Sequence, residues 1–310
     1  MIEKFDLLTL LHLDGIGCKT IINFYEEVKH RKLINLEFND YIYILEEHFN
    51  KKYPKKEIEK SKLKAEKILE SCYLNKIEIM SFLDKNYPKR FKNIKKDKPV
   101  LLYIKGNKKI MEKGFNLAVV GSRKSSDKGL KLAYNYSKKA ADNGFNIISG
   151  LALGCDTAGH KGSLDSFESS ENMGKTLAVL PSGINNIYPY ENKNMALEII
   201  DKEGCLLSEK SPNEQPNKYD FISRDRLQAA LSEWLLIVES RIDGGTAYTA
   251  EYGIKYRKKL MCVGINIENK GMELNKKLIE KKEGVPIESL NDLMDLLTKE
   301  RDEHNEISHQ

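Results

Sequence analysis

The stretch "AVVGSRKSSDKGLKLA" (residues 118–133) runs from apolar residues through a Gly121-Ser122-Arg123 turn into a segment with helical spacing. Strand, tight polar turn and helix in that order form a βα unit, the repeat of a parallel sheet. Working outward, the same rhythm recurs. The short apolar runs NLAVV, FNIIS, TLAVLP, GCLLS, EWLLIVES and KLMCVG alternate with amphipathic segments from residue 115 onward. Apolar strands spaced by helices predict an α/β fold whose parallel sheet is covered on both faces. The segments that follow several of these runs, at 121–123, 149–156, 181–189 and 243–246, are rich in Gly, Ser and Arg. In an open parallel sheet such loops gather at the carboxyl edge, where ligands bind.

A chain of 310 residues exceeds the usual domain of about 100–150, so two units are expected. Residues 1–80 predict a small all-helical domain, with KKYPKKEIEKSKLKAEKILESCYL placing Ile58, Leu63, Ile68 and Leu69 at helical spacings. Residues 81–110 read as a connecting segment with a Tyr87-Pro88 turn and a strand from Val100 to Ile104. Residues 111–298 then carry the sheet domain, and 299–310 form a polar tail expected to fray. In the helical part, Leu11 to Thr20 has the Gly-x-Gly turn of a helix-hairpin-helix. A phosphate contact and a purely structural hairpin explain it equally well.

Composition narrows the function. The net charge of +5 is compatible with a polyanionic partner, although most lysines belong to solvated helix faces. Cys18, Cys72, Cys155, Cys205 and Cys262 are odd in number and lack C-x-x-C spacing, so neither a zinc site nor a disulfide framework is expected. Reduced thiols point to the cytoplasm. No apolar run approaches about 18 residues and no cleavable leader is visible, so neither a membrane span nor export is expected.

Each loop then offers its own chemistry. Gly121, Ser122 and Arg123 suit an anion through backbone amides, a hydroxyl, a helix start and a guanidinium fork, and read equally as an ordinary βα turn. Ser149, Gly150, Asp156 and His160 follow the next strand, with Asp156 placed to cap a helix and His160 one turn further on; a lone His here is more often structural than a base. Ser182, Gly183, Tyr188, Asn192 and Lys193 put rings beside amides and a cation, the combination that single-stranded nucleic acid needs. The competing explanation is a rigid Tyr-Pro turn packed on the sheet. Arg224 and Arg226, in FISRDRL, are expected in a loop entering a helix as a phosphate clamp. Gly244, Gly245 and Thr246 form a further amide cradle at a helix start. No metal ligand set and no convincing nucleophile–base pair are present.

Taken in order, VGSR, SGL-A-x-G-x-D with a downstream His, SG…YP-x-EN, F-x-x-R-x-R-L and the E…G-x-x-x-TA turn resemble the DprA/Smf family of DNA-processing proteins over residues 81–264. The resemblance implies an extended Rossmann-like domain behind a helical domain of helix-hairpin-helix or SAM-like type. It implies a protein that binds single-stranded DNA, protects incoming DNA, helps load the RecA recombinase and dimerises through the sheet domain, without catalysis or cofactor. Some positions depart from the family pattern: Leu153 stands where a basic residue is usual, Asp225 replaces an Asn between the arginines, Tyr190 follows the Tyr-Pro pair, and Gly-Gly-Thr replaces Ser-Gly-Ser. Two other readings stay open. Asp243 to Glu251 is similar to the glycine-rich turn of nucleotide phosphoribohydrolases, and the same cleft could serve a nucleotide sensor in phage defence.

Overall fold

The computed structural model describes residues 2–34, 36–166, 173–265 and 268–308. Four helices come first: α1 (Lys4–Leu11), α2 (Cys18–His30), α3 (Phe38–Phe49) and α4 (Lys55–Leu74). Gly15, at φ +81°, turns the chain between α1 and α2. That turn is tied to its own domain: Asp14 N–H donates to Glu57, and Lys51 Nζ donates to the Asp14 carbonyl and carboxylate. Helix α4 buries Ser61, Ala65, Ile68 and Cys72, a stripe at i, i+4, i+7 and i+11. Leu63, grouped by its spacing with the apolar positions, lies about 200° around the helix from Ser61 and is exposed.

The rest of the chain alternates strand and helix: β1 (Glu78–Ser81), α5 (Lys89–Lys92), β2 (Leu101–Gly106), β3 (Asn116–Val120), α6 (Asp127–Asp142), β4 (Asn146–Ser149), α7 (Cys155–Leu164), β5 (Thr176–Leu180), α8 (Lys193–Asp201), β6 (Cys205–Ser208), α9 (Lys218–Leu231), β7 (Trp234–Ile237), α10 (Thr246–Lys255), β8 (Lys259–Val263), α11 (Glu273–Glu280), β9 (Val285–Ile287) and α12 (Leu290–Ser308). They build one nine-stranded sheet in the order β1-β2-β6-β5-β4-β3-β7-β8-β9. The strands from β6 to β9 pair in parallel, while β1 and β2 are antiparallel additions at one edge. This is a Rossmann-like α/β fold.

The segment 81–110, read from sequence as a connector, therefore supplies a sheet strand and, with β1, extends the sheet toward the helical domain. Helical-domain side chains such as Leu8, Ile22 and Leu45 join those of β1 and β2 and one face of the central sheet in a continuous apolar core. The opposite face is a second core. Along β3, Leu117 and Val119 point into it beside α6 and α12, whereas Ala118 and Val120 point into the first.

The tail also differs from expectation, because α12 continues through the polar residues to Ser308. Arg301 fastens it, donating to the Asn143 carbonyl at 3.0 Å and lying over the Phe145 ring. Residues 309–310 lie outside the described residues.

The strand order places the functional edge. From β3 the chain steps to β4, β5 and β6 on one side, and from β7 to β8 and β9 on the other. The loops leaving β3 and β7 thus diverge around a crevice at the carboxyl edge.

Candidate functional site

A cavity of about 690 Å³ opens at this crevice, lined from β3 by Gly121, Ser122, Arg123 and Lys124, and from α9 by Phe221, Arg224, Asp225 and Gln228. The turn after β3 is built by close approach. A Cβ at Gly121 would lie 2.5 Å from Cys155 Sγ, so only glycine lets the turn meet the start of α7. Ser122 N–H donates to the Glu239 carbonyl at 2.7 Å, and Cys155 N–H donates to the Ser122 carbonyl at 3.2 Å. The loops after β3, β4 and β7 are stitched together by these bonds.

The start of α6, expected to help hold an anion, is already occupied by an anion of the chain itself. The Glu239 carboxylate accepts from Ser125 Oγ, Ser126 N–H and Ser126 Oγ at 2.7–3.2 Å. Capacity for an external anion at this turn therefore rests on the exposed side chains of Arg123 and Lys124. Arg123 lies over Phe221, its guanidinium carbon 4.8 Å from the ring centre.

Helix α9 forms the floor. It begins at the Asn217 cap, where Asn217 accepts from Tyr219 N–H and Asp220 accepts from Asn217 N–H, both at 2.8 Å. Arg224 and Arg226 consequently sit inside a helix, not in a loop before one. Two residues along a helix is about 200° of rotation, so the side chains leave opposite sides. Arg224 enters the cavity, with Nη1 3.9 Å from Asp156 and 3.7 Å from Asp225. Its guanidinium is packed so closely under Gly150 that a Cβ there would stand 1.4 Å from Nη1.

Arg226 turns away. It pairs with both Glu209 oxygens at 2.5 and 2.6 Å and donates to the Asp97 and Ser223 carbonyls. These partners raise its pKa further against the opposing pull of burial, and it does not line the cavity. Arg226 is a strut joining α9, the end of β6 and the segment before β2.

Asp156 and Asp225 share the one buried guanidinium of Arg224, and burial pushes both carboxyls upward. Asp156 also accepts from Gly150 N–H at 3.1 Å and Ala152 N–H at 3.3 Å, which favours its ionised form. Among the described residues, Asp225 accepts one hydrogen bond, from the Gln228 amide at 3.1 Å. Burial wins over Arg224 there, Asp156 adds to it, and the carboxyl is pushed up to about 7.

The far wall is the start of α10. Gly244, Gly245 and Thr246 line the cavity with Ser240, Arg241 and Tyr248, and Lys218 closes the α9 side. A Cβ at Gly245 would meet nothing within 4 Å, so the backbone there faces open space. Arg241 is held by Asp243 at 2.9 Å. Arg123, Lys124 and Lys218 have no ion-pair partner among the described residues.

Other candidate residues shape the site from behind. Ser149 Oγ donates to the Val119 carbonyl inside the sheet at 2.7 Å. His160 is fully buried against Thr176 Oγ1 at 2.7 Å, and burial lowers its pKa to about 3. Ser182 is buried, and Gly183 N–H donates to the Glu214 carbonyl at 2.8 Å. Asn192 donates to the Leu151 carbonyl and to Thr157 Oγ1, both at 2.8 Å, which fixes the loop after β4. Tyr188 meets Phe221 edge-on at 5.4 Å, beside the cavity, and Lys193 reaches over the exposed Tyr190 ring. Glu251 is exposed on α10 and does not line the cavity.

Sequence reading passed over Lys218, Phe221 and Gln228 as site residues. Their signal was present: with Arg224 and Asp225 they recur at three and four residues, one face of α9.

Known proteins resemble this chain over most of its length. Residues 78–298 match the family model of DNA recombination-mediator protein A. DNA processing protein DprA of Bacillus subtilis is 30% identical over 209 residues, 67% of this chain and 68% of that protein. The Streptococcus pneumoniae DprA is 35% identical over 188 residues, 61% of this chain and 63% of its own length. The X-ray structure of S. pneumoniae DprA superposes with a TM-score of 0.77 at 26% identity, covering 95% of this chain and 98% of that one. DNA processing protein A of Helicobacter pylori, described for its single-stranded DNA binding mode, superposes with a TM-score of 0.63 at 26% identity, over 72% of this chain and 96% of that one. Among the described residues no helix is long and apolar enough to cross a membrane. With the family model spanning most of the chain, the chain belongs to the DNA recombination-mediator protein A family, the DprA/Smf proteins.

Proposed function

We propose that the cavity between β3 and β7 holds the phosphodiester backbone of single-stranded DNA and leaves it intact. The observation that carries this reading is the meeting of Arg123 and Arg224 at one topological switch point, flanked by the unpaired Lys124 and Lys218 and floored by an aromatic ring. Planar guanidinium forks suit phosphate, and a ring beside them suits an unpaired base. The H. pylori relative described with its single-stranded DNA binding mode supports the same ligand class.

The site lacks the features of a hydrolytic centre. The Cys155 thiol beside the turn is buried and pushed up to about 12, His160 is sealed in the core, and Glu251 stands outside. We place the protein in the cytoplasm, where it protects incoming strands and passes them to a RecA-type recombinase, acting as a homodimer joined through the sheet domain.

The direct test measures binding of a single-stranded oligonucleotide, a duplex of the same length and adenosine monophosphate to the native protein and to Arg123→Glu. The single strand binds best, and Arg123→Glu loses it while remaining folded. Unchanged affinity in that variant refutes the assignment. Tighter binding of the mononucleotide than of the oligonucleotide would instead make the protein a nucleotide sensor.

A further inference from the structure

Helix α10 carries tyrosines one turn apart, at 248, 252 and 256. Tyr248 lines the main cavity, and Tyr256 lies about 12 Å further along the helix axis. The stripe leads away from the carboxyl edge, because α10 runs back toward the start of β8. Tyr252 and Tyr256 are half-buried and stack on each other, with ring centres 5.8 Å apart and planes 26° apart. Lys255 reaches over both rings.

The far end of the stripe meets the segment before β2. Asp97 accepts from Lys255 Nζ at 2.5 Å and from Tyr256 Oη at 3.0 Å. Burial opposes ionisation of Asp97, but these bonds, with the charges of Lys255 and Lys19, hold its carboxyl below the ordinary range. Asp97 is thus an anion already committed to α10. The turn Lys95–Asp97 also packs against α2. Lys19, Lys95 and Lys96 are exposed there and have no ion-pair partner among the described residues. Lys19 follows the Gly15-x-Gly17 turn that opens α2, so the hairpin singled out in the helical domain borders the same patch.

Clustered cations without acidic partners attract a polyanion, and stacked rings beside them suit unpaired bases. We propose that this patch is a second contact for the single strand, gripping nucleotides that have left the cavity along α10. This rests on the phosphate reading above and adds to it the direction in which the strand leaves and a part for the helical domain. A strand that ends in the cavity does not reach the patch, whereas one several nucleotides longer does.

The test measures binding of oligothymidylates of about four and about sixteen nucleotides across a salt series, by fluorescence anisotropy, to the native protein and to the double variant Lys95→Ala, Lys96→Ala. Both side chains are exposed, so the variant should keep its melting temperature. The short strand should bind the two proteins alike. The long strand should bind the variant roughly tenfold more weakly, with a log-log salt slope shallower by about 1.4, at about 0.7 for each of two phosphates. No loss for the long strand, or an equal loss for both lengths, overturns the second contact and leaves the grip in the cavity standing. An oligoglutamate peptide that binds through Lys95 and Lys96 while the long strand is unaffected would make the patch a site for an acidic protein segment instead. Failure of the native protein to bind either length removes the phosphate reading, and the patch with it.

Discussion

Arg224 and Arg226 are two positions apart in sequence, and the helix assigns them different work. For Arg224, which faces the cavity, each phosphate neutralised on a single strand contributes about −0.7 to the log-log salt slope of binding. Titrations from low to moderate salt should therefore show a shallower slope for Arg224→Ala. Arg226→Ala should leave the slope alone and lower stability, because Glu209 would keep a buried charge without its partner, a loss on the order of 3 kcal/mol read by denaturant unfolding. A shallower slope for Arg226→Ala at unchanged stability would contradict the strut role. On the phosphate reading, Asp225 should make binding pH-dependent. Its pKa is raised to about 7, chiefly by burial, so it is neutral below that pH and becomes an anion beside the bound polyanion above it. Affinity should fall as pH rises from 6 to 8, and Asp225→Asn should flatten the profile. Linkage gives the same sign for folding: with the folded pKa above the usual value, stabilisation by the protonated group is complete below the unfolded pKa and is lost as pH rises through about 7.

At the scale of the element, the face of α9 and the start of α10 form the jaws of the cavity, and glycines set how near a ligand can come. Gly245 has φ −55°, and a side chain there would meet no neighbour. Gly245→Ala should leave the melting temperature unchanged or slightly raised. A several-fold loss of oligonucleotide affinity with that stability would report direct approach of phosphate to the backbone of α10, and undiminished affinity would remove α10 from the interface. Helix α9 also shows what was legible and what was not. The motif F-x-x-R-x-R-L was visible at once, yet the arginines were paired by their nearness in sequence. The cap at Asn217 starts a helix that runs from Lys218 to Leu231, and the helix then splits the pair. The start of α6 was misjudged for a related reason: the carboxylate that fills it comes from Glu239, more than a hundred residues away, and no local pattern announces it.

At the scale of the whole molecule, self-association is best followed by sedimentation of the full chain across micromolar concentrations, with a dimer expected and a persistent monomer refuting it. A fragment begun at residue 81 would cut through β1 and expose the core that the helical domain shares with the sheet. The repeat of apolar run, small polar turn and amphipathic helix determined the α/β class, the strands β3 to β8 and the loops of the carboxyl edge, because burial on both faces of a parallel strand leaves its mark within a few consecutive residues. The sequence by itself did not reveal β1 as an edge strand or β9, each short and dependent on a neighbour for its hydrogen bonds. Nor did it reveal that Ser149 and Asn192 turn inward to hold the scaffold while Arg123, Arg224 and Asp225 face the cavity. Those assignments depend on which side of each element meets the sheet and which distant group reaches it first. Contacts such as Glu239 with Ser126 and Glu209 with Arg226 come into being only when the strands have taken their order.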